Sequence, residues 1–321
     1  MSQAILRVEE LKKHYSLGRG RTLKAVDGVS FAVTAGETLG VVGESGCGKT
    51  TLGRTVLRLV EATSGRVYFR DRDVYGMSPS ELRKARREMQ IVFQDPYASL
   101  NPRMKVSDVI GEALEAKGVP RKLWIQEAAA VLDKVGLSRT AMCRYPHEFS
   151  GGQRQRIGIA RALAVGPSLL VCDEPVSALD VSVQSHIINL LSELKREMDL
   201  TYLFIAHDLA VVRHISDRVA VMYLGQIVEI APARSLYAAP QHPYTKALLN
   251  AVPNPDPAKR GLRQIISGEI PNPERPPLGC RFHERCPVAL DKCRVDIPEL
   301  KSVGVAHLAA CHLVEEVNAN D

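Results

Sequence analysis

Eight consecutive residues, Gly43-Glu44-Ser45-Gly46-Cys47-Gly48-Lys49-Thr50, restrict what this chain can fold into more than any other stretch. They fit G-x-x-x-x-G-K-[ST] and stand where that pattern works, directly after the apolar run Thr38-Leu39-Gly40-Val41-Val42 and before a stretch that reads as helix. The glycines let backbone N–H groups turn inward around a phosphate at a helix N-terminus. Lys49 adds charge at the β/γ oxygens, and the Thr50 hydroxyl can ligate Mg2+. A strand feeding such a loop and helix points to an α/β core. Cys47 falls on a free position of the pattern and reads as a small filler rather than a redox switch.

The rest of the chain before residue 230 agrees. Met89-Gln90-Ile91-Val92-Phe93, Leu169-Leu170-Val171-Cys172 and Tyr202-Leu203-Phe204-Ile205-Ala206 are short apolar runs bounded by polar or turn residues, as buried parallel strands are. Between the last two, Val183, Ile187, Leu190, Leu191 and Leu194 recur at helical spacing and make one apolar face. The segment from Asp95 to Val165 reads as mainly helical and as a subdomain inserted in the core. Helices are expected over Val106–Lys117 and Gln126–Val135, separated by Gly118-Val119-Pro120. Beyond Leu236 the chain changes character, and twelve of its nineteen prolines follow Ile230. The runs Val252-Pro253-Asn254-Pro255-Asp256-Pro257 and Pro271-Asn272-Pro273-Glu274-Arg275-Pro276-Pro277 deny long helices and central strands. No internal repeat is present, which excludes a tandem array.

At 321 residues the chain has room for about two domains. A hydrophobic share of 45% beside 24% charged residues excludes a mainly disordered or collagen-like chain. No apolar run approaches the roughly 18 residues of a membrane-spanning helix. Met1 to Arg7 are followed by Glu9 and Glu10 and hold no apolar core of a secretory signal, so a cytoplasmic chain is expected, with membrane association through protein partners. The net charge of +6 is mild, and the cluster Arg83, Lys84, Arg86, Arg87 reads as a solvated helix face rather than a nucleic-acid stripe.

Two further motifs carry chemistry. The run Leu169 to Cys172 ends in Asp173-Glu174. Asp173 is suited to hold Mg2+ through water and Glu174 to polarise the water that attacks the γ-phosphate, a role worth about 10² to 10⁴ in rate. Between the phosphate loop and this pair stands Ser150-Gly151-Gly152-Gln153-Arg154-Gln155-Arg156, whose Ser150 can cap the helix running on through Ile157, Ala160 and Ala164. Two glycines in a first turn cost roughly 1 kcal/mol each relative to Ala, which makes sense where a phosphate must come close. One chain cannot easily bring two such helix N-termini to one γ-phosphate, and that points to a second subunit.

Phosphate loop, Ser-Gly-Gly-Gln, an Asp-Glu strand about twenty residues later, Ser177-Ala178-Leu179-Asp180 and His207 ending the next strand form a combination in which residues 5–235 resemble the nucleotide-binding subunit of an ATP-binding-cassette (ABC) transporter. The resemblance implies an α/β fold: a RecA-like P-loop ATPase core over 1–94 and 166–235 with N-terminal antiparallel β elements, an inserted helical subdomain over 95–165 with the signature motif, and a small irregular C-terminal domain over 236–321. It implies ATP and Mg2+ as ligands. ATP would be held by Gly43, Ser45, Gly46, Cys47, Gly48, Lys49, Thr50 and Thr51, with Tyr15 stacked on adenine; Mg2+ would take Thr50, Gln94 and, through water, Asp173. It further implies that Gln94, in Phe93-Gln94-Asp95-Pro96, reaches the attacking water and senses the membrane subunit, and that His207 contacts the γ-phosphate. Ser150, Gly151, Gly152 and Gln153 would complete a partner's ATP site, and Asp180 would bridge the dimer. The family usually has Leu before Ser-Gly-Gly-Gln; Phe149 here reads as tolerated packing. Soluble cassettes acting on DNA or ribosomes fit less well, because about a hundred residues separate the two glycine motifs, no sustained heptads appear, and there is one cassette.

Gly43 to Lys49, Val92-Phe93-Gln94-Asp95-Pro96-Tyr97-Ala98-Ser99-Leu100-Asn101-Pro102 and His242-Pro243-Tyr244-Thr245-Lys246-Ala247-Leu248-Leu249 resemble the di- and oligopeptide importer branch. That resemblance implies a second homologous ATPase with a heterodimer favoured, two membrane permeases, an extracytoplasmic binding protein, and a peripheral position on the cytoplasmic face of the inner membrane; no nucleic-acid partner is expected. Nothing in the ATPase motifs reads the cargo, and nickel, glutathione and sugar importers have similar ATPases. In the tail, Cys280, Cys286, Cys293 and Cys311 are separated by five, six and seventeen residues. In a reducing compartment such a cluster suits metal better than disulfides, either Zn2+ or an iron–sulfur cluster, with His283, His307 and His312 as substitute ligands. The importer resemblance implies a four-iron, four-sulfur (4Fe-4S) cluster that staples the tail, with Zn2+ the alternative.

Overall fold

A computed structural model describes residues 3–251 and 268–315. Met1, Ser2 and the run Val252 to Pro257 lie outside the described residues. In chain order the elements are β1 (Ala4–Ser16), β2 (Thr22–Thr34), β3 (Thr38–Val42), α1 (Lys49–Val56), β4 (Ser64–Phe69), β5 (Arg72–Asp73), α2 (Pro79–Glu88), β6 (Met89–Val92), α3 (Val106–Lys117), α4 (Trp124–Lys134), α5 (Gly151–Ala164), β7 (Leu169–Asp173), α6 (Val181–Met198), β8 (Thr201–Ile205), α7 (Leu209–Ile215), β9 (Arg218–Tyr223), β10 (Gln226–Pro232), α8 (Ala233–Ala238), α9 (Pro243–Ala251), β11 (Lys301–Gly304) and β12 (His307–Ala309). β2, β1, β4 and β5 are neighbours in that order in one sheet. No helix of the described residues is long and apolar enough to cross a membrane.

The chain divides into two compact units. The first takes the described residues to Leu6, Ala32–Thr38 and Tyr68–Ile205. Its strands β6, β7 and β8 run parallel, with Met89 opposite Leu169 and Leu169 opposite Thr201. Every residue of β7 and β8 is buried, as strands covered on both faces require. On α6, Ile187, Leu190, Leu191 and Leu194 of the apolar stripe are buried, and Val183 is half-buried. Helices α3, α4 and α5 pack on one another. Helix α3 has the expected bounds, whereas α4 starts at Trp124, earlier than Gln126, because a 3-10 turn over Arg121–Leu123 leads into it and the Trp124 indole donates to Val119 O at 3.0 Å. Phe149 is buried beneath the Arg144 guanidinium, 4.4 Å from its ring centroid.

The second unit takes Arg7–Phe31, Leu39–Val67 and the described residues from Ala206 on. Here β3 lies parallel to β9, β10 turns back antiparallel on β9, β12 pairs with β10, and β11 pairs with β12. The tail therefore adds two strands to the edge of this sheet, where Glu229 faces Ala309 and Ile230 faces Leu308. Sequence reading gave the tail no strands. The proline argument held for central strands only, and four- and three-residue edge pairings lack enough alternation to be seen beforehand.

Candidate active site

In the second unit the phosphate loop closes at Gly48, the N-cap of α1, with φ of 106°. A Cβ at Gly48 would lie 1.9 Å from Ala25 O, and one at Gly43 would lie 2.1 Å from Met222 O. The loop is thus pressed against β2 and β9, and only glycine fits at these positions. Lys49 is 4% exposed, and its ammonium donates to Gly43 O at 2.8 Å and Glu44 O at 3.0 Å, folding back over the loop. The first turn of α1 holds no acidic residue, so its positive end is unopposed, with Thr50 and Thr51 in that turn and Ser45 and Gly46 exposed on the loop. Burial pushes the Cys47 thiol up, and its carbonyl accepts from Gly225 N at 2.9 Å. Tyr15 is half-buried in β1 with the Lys13 ammonium 4.7 Å from its ring centroid. His207 follows Ala206, whose N–H donates to Val41 O at 3.1 Å.

The first unit holds the carboxylates. Asp173 ends β7 almost fully buried. Glu174 adopts φ of 48°, a left-handed conformation that costs a non-glycine residue roughly 1–3 kcal/mol. It is pinned by its N–H donating to Ile205 O at 2.9 Å and its carbonyl accepting from the Ser177 N–H and hydroxyl at 3.3 and 3.1 Å. The Gln94 amide donates to Glu174 Oε2 at 2.9 Å, so two residues eighty positions apart in sequence meet. Gln155 of α5 donates to Phe93 O at 3.4 Å and ties the Gln94 loop to this helix.

Ser150 N-caps α5 in a reciprocal box: its hydroxyl accepts from Gln153 N at 3.4 Å, and its N–H donates to Gln153 Oε1 at 3.0 Å. A Cβ at Gly152 would sit 2.4 Å from Val183 Cγ1, so this glycine is also required by packing against α6. Phosphate approach, the reason the sequence offered, does not account for it alone. Asp180 is exposed at the N-cap of α6 without a side-chain cap bond. Gln94, Asp173, Glu174, Ser150 to Gln153 and Asp180 thus belong to one compact unit, and Tyr15, the phosphate loop and His207 to the other.

Among the described residues no group of three or more His, Cys, Asp or Glu is arranged to hold a metal ion, so the cluster expected at Cys280, Cys286, Cys293 and Cys311 finds no support there. They are nevertheless neighbours: burial pushes the Cys280 thiol up to about 11, with Cys293, Cys311 and Cys286 adding to the shift. Cys280 N also donates to Cys293 O at 2.8 Å. The substitute ligands are engaged elsewhere, His283 with Cys280 O, His307 with Glu229 and His312 with Asp296 O.

What fastens the tail is ionic and aromatic, and sequence reasoning did not find it. Arg281 bonds Asp27 and Leu224 O. Burial works to raise the Asp27 carboxyl, yet His14 and Arg281 hold it low. Glu229, fully buried, accepts from Gln241 N at 2.8 Å and His242 N at 2.9 Å and pairs with His307 at 2.7 Å. Tyr223, Tyr244 and Phe282 pack together in tilted and edge-on pairs with centroids 4.6 and 5.3 Å apart. The quoted His242-Pro243-Tyr244 run was the available signal.

Residues 26–177 match the ABC transporter family model, and residues 228–293 match the model of the oligopeptide/dipeptide transporter C-terminal region. A Brucella ovis protein named for peptide import and ATP binding is 53% identical over 308 residues, 96% of this chain and 97% of the relative. The oligopeptide transport ATP-binding protein AppF of Bacillus subtilis is 50% identical over 323 residues, 97% of this chain and 98% of AppF. Among solved structures, cbiO1 of Clostridium perfringens, part of the ABC transporter complex cbiONQ, superposes with a TM-score of 0.66 at 30% identity over 74% of this chain and 92% of cbiO1. A dimeric ATP-binding cassette in a post-hydrolysis state with ADP and Pi gives 0.63 at 27% identity, covering 71% and 99%. Phosphate loop, strained Glu174 and matched tail together make this chain a member of the ABC transporter ATP-binding family, in the branch that carries the oligopeptide/dipeptide transporter C-terminal region.

Proposed function

We propose that this chain is the ATP-hydrolysing motor subunit of an importer for di- or oligopeptides. The observation that carries the cargo class is the match of its tail to the oligopeptide/dipeptide transporter C-terminal region, beside relatives named for peptide transport over nearly their whole length. Residues 1–94 and 166–235 act as the ATPase core, 95–165 as the inserted helical subdomain and 236–321 as the extension. The chain pairs with a second homologous ATPase and works beneath two permeases on the cytoplasmic face of the membrane, supplied by an extracytoplasmic binding protein.

In the proposed reaction the phosphate loop, Lys49, Thr50 and Thr51 hold the triphosphate and Tyr15 covers the adenine. Glu174 takes a proton from the attacking water, and the Gln94 amide donating to Glu174 Oε2 aims that carboxylate. His207 steadies the γ-phosphate. The donors Thr50, Gln94 and Asp173 are oxygen ligands of the kind Mg2+ takes, Asp173 through water, and the bound ion would supply charge neutralisation on the phosphates. Ser150 to Gln153 serve the partner's nucleotide and Asp180 the contact between cassettes. The four tail cysteines are assigned to a 4Fe-4S cluster, with Zn2+ the alternative, on their spacing and mutual proximity; no step of hydrolysis passes through it. Anaerobic protein containing iron and acid-labile sulfide supports the assignment, and metal-free protein with an intact tail removes it.

The test is co-purification from detergent-solubilised membranes. Two permeases and a second cassette ATPase are expected; a ribosome or DNA repair complex in their place overturns the reading.

A further inference from the structure

The C-terminal extension reaches the phosphate loop through a buried fork. Arg285 lies in a 3-10 turn, His283–Arg285, between Cys280 and Cys286. Its Nη1 donates to Glu44 Oε2 at 2.7 Å and its Nη2 to Glu44 Oε1 at 2.9 Å, a bidentate pair with side chains 5% and 21% exposed. Nη1 also donates to the Tyr223 hydroxyl at 3.3 Å. Glu44 is the second residue of the phosphate loop. Its N–H donates to the Tyr244 hydroxyl at 3.0 Å, and its carbonyl accepts from Lys49 at 3.0 Å. One loop residue is therefore held through its backbone by α9 and through its carboxylate by the tail.

The phosphate-loop pattern leaves this position free, so nothing in phosphate binding asks for a carboxylate there. Unpaired, that carboxylate would repel a nucleoside triphosphate, because like charges at close range in a partly buried site are poorly screened. The guanidinium fork cancels the charge and fixes the side chain. We propose that Arg285 is a positioning residue for nucleotide binding, which by neutralising Glu44 couples docking of the C-terminal extension to the affinity of the phosphate loop for a nucleoside triphosphate. The proposal rests on reading that loop as the ATP site. Coupling of this kind is reciprocal, so nucleotide should in turn hold the extension in place.

The test uses the full chain and a non-hydrolysable ATP analogue, with binding and limited proteolysis of the extension measured together. Arg285→Ala is expected to weaken binding about 10-fold. Adding Glu44→Gln to it should restore affinity to within about 3-fold of the parent, since the repelling charge is gone. Arg285→Lys should fall between, because an ammonium cannot form the fork. Nucleotide should slow cleavage of the extension in the parent and not in Arg285→Ala. Should Arg285→Ala fail to fold, Glu44→Gln alone is decisive: protection of the extension by nucleotide should shrink. Unchanged binding in Arg285→Ala, a double variant as weak as the single, or full protection in Glu44→Gln overturns the inference. A parent chain that binds no nucleotide overturns the ATPase reading and this coupling with it.

Discussion

Glu174, the proposed base, stands in a backbone conformation that a side chain rarely adopts, and its neighbours hold it there. Sequence reasoning found the residue from its place after an apolar strand and found Gln94 from a quoted motif. The bond between them was not legible, because it depends on a left-handed turn at Glu174 that no local pattern announces. The phosphate loop was legible because its glycines are demanded by sterics. Gly48→Ala would place a Cβ 1.9 Å from Ala25 O, so it should abolish ATP binding and destabilise the chain by roughly 1–3 kcal/mol or more, as read by nucleotide titration and thermal unfolding. Ordinary nucleotide affinity in Gly48→Ala would show the close approach to be dispensable. Arg285 and Glu44 stayed hidden because their pairing joins positions 241 residues apart.

At the scale of elements, strands and helices with clear apolar periodicity came out of the sequence nearly at their observed ends, whereas β11 and β12 did not, being short, at an edge and dependent on Glu229 and Ile230 for pairing. The N-terminus of α5 caps itself and, in the proposed assembly, also reaches toward a partner's nucleotide. Ser150→Ala should cost about 1 kcal/mol of stability through the lost cap, and a larger share of ATPase rate at the site completed by this helix. Gly152→Ala separates packing from function: Val183→Ala in the same chain should recover thermal stability and leave ATPase low. Recovery of both would make Gly152 a packing residue alone. The junction between β10 and α9 is set to depend on pH. Burial pushes His242 down from 6.5 to about 4, with Glu229 opposing and Lys246 assisting. Glu229 is also held below its ordinary 4.5: burial would raise it, but its hydrogen bonds, His307 foremost, outweigh that. Both groups have depressed folded values, so the stability from His242 is full above about 6.5 and falls toward 4, and that from Glu229 is lost below 4.5. Protease cleavage of the extension should rise as pH drops through this window, and His242→Asn should flatten the upper part of the rise. A flat parent profile would contradict the assignment.

At the scale of the whole molecule, the family was legible because five motifs occur in the right order along one chain, and cargo was not, because no ATPase motif touches it. In the proposed assembly this chain gives its phosphate loop to one nucleotide and Ser150 to Gln153 to another, so Lys49→Ala should disable its own site and Ser150→Ala the partner's, as site-resolved nucleotide trapping would register. Loss at one and the same site from both changes would contradict that division. The central claim is that Glu174 drives ATP hydrolysis in a peptide-importing complex, and one rate tests it most directly: peptide-stimulated ATP hydrolysis by the complex reconstituted in vesicles, with the partner ATPase's own phosphate-loop site silenced. The parent should hydrolyse ATP in response to peptide, while Glu174→Gln should bind ATP and turn over slower by about 10² or more; a Glu174→Gln complex running at the parent rate would contradict the account.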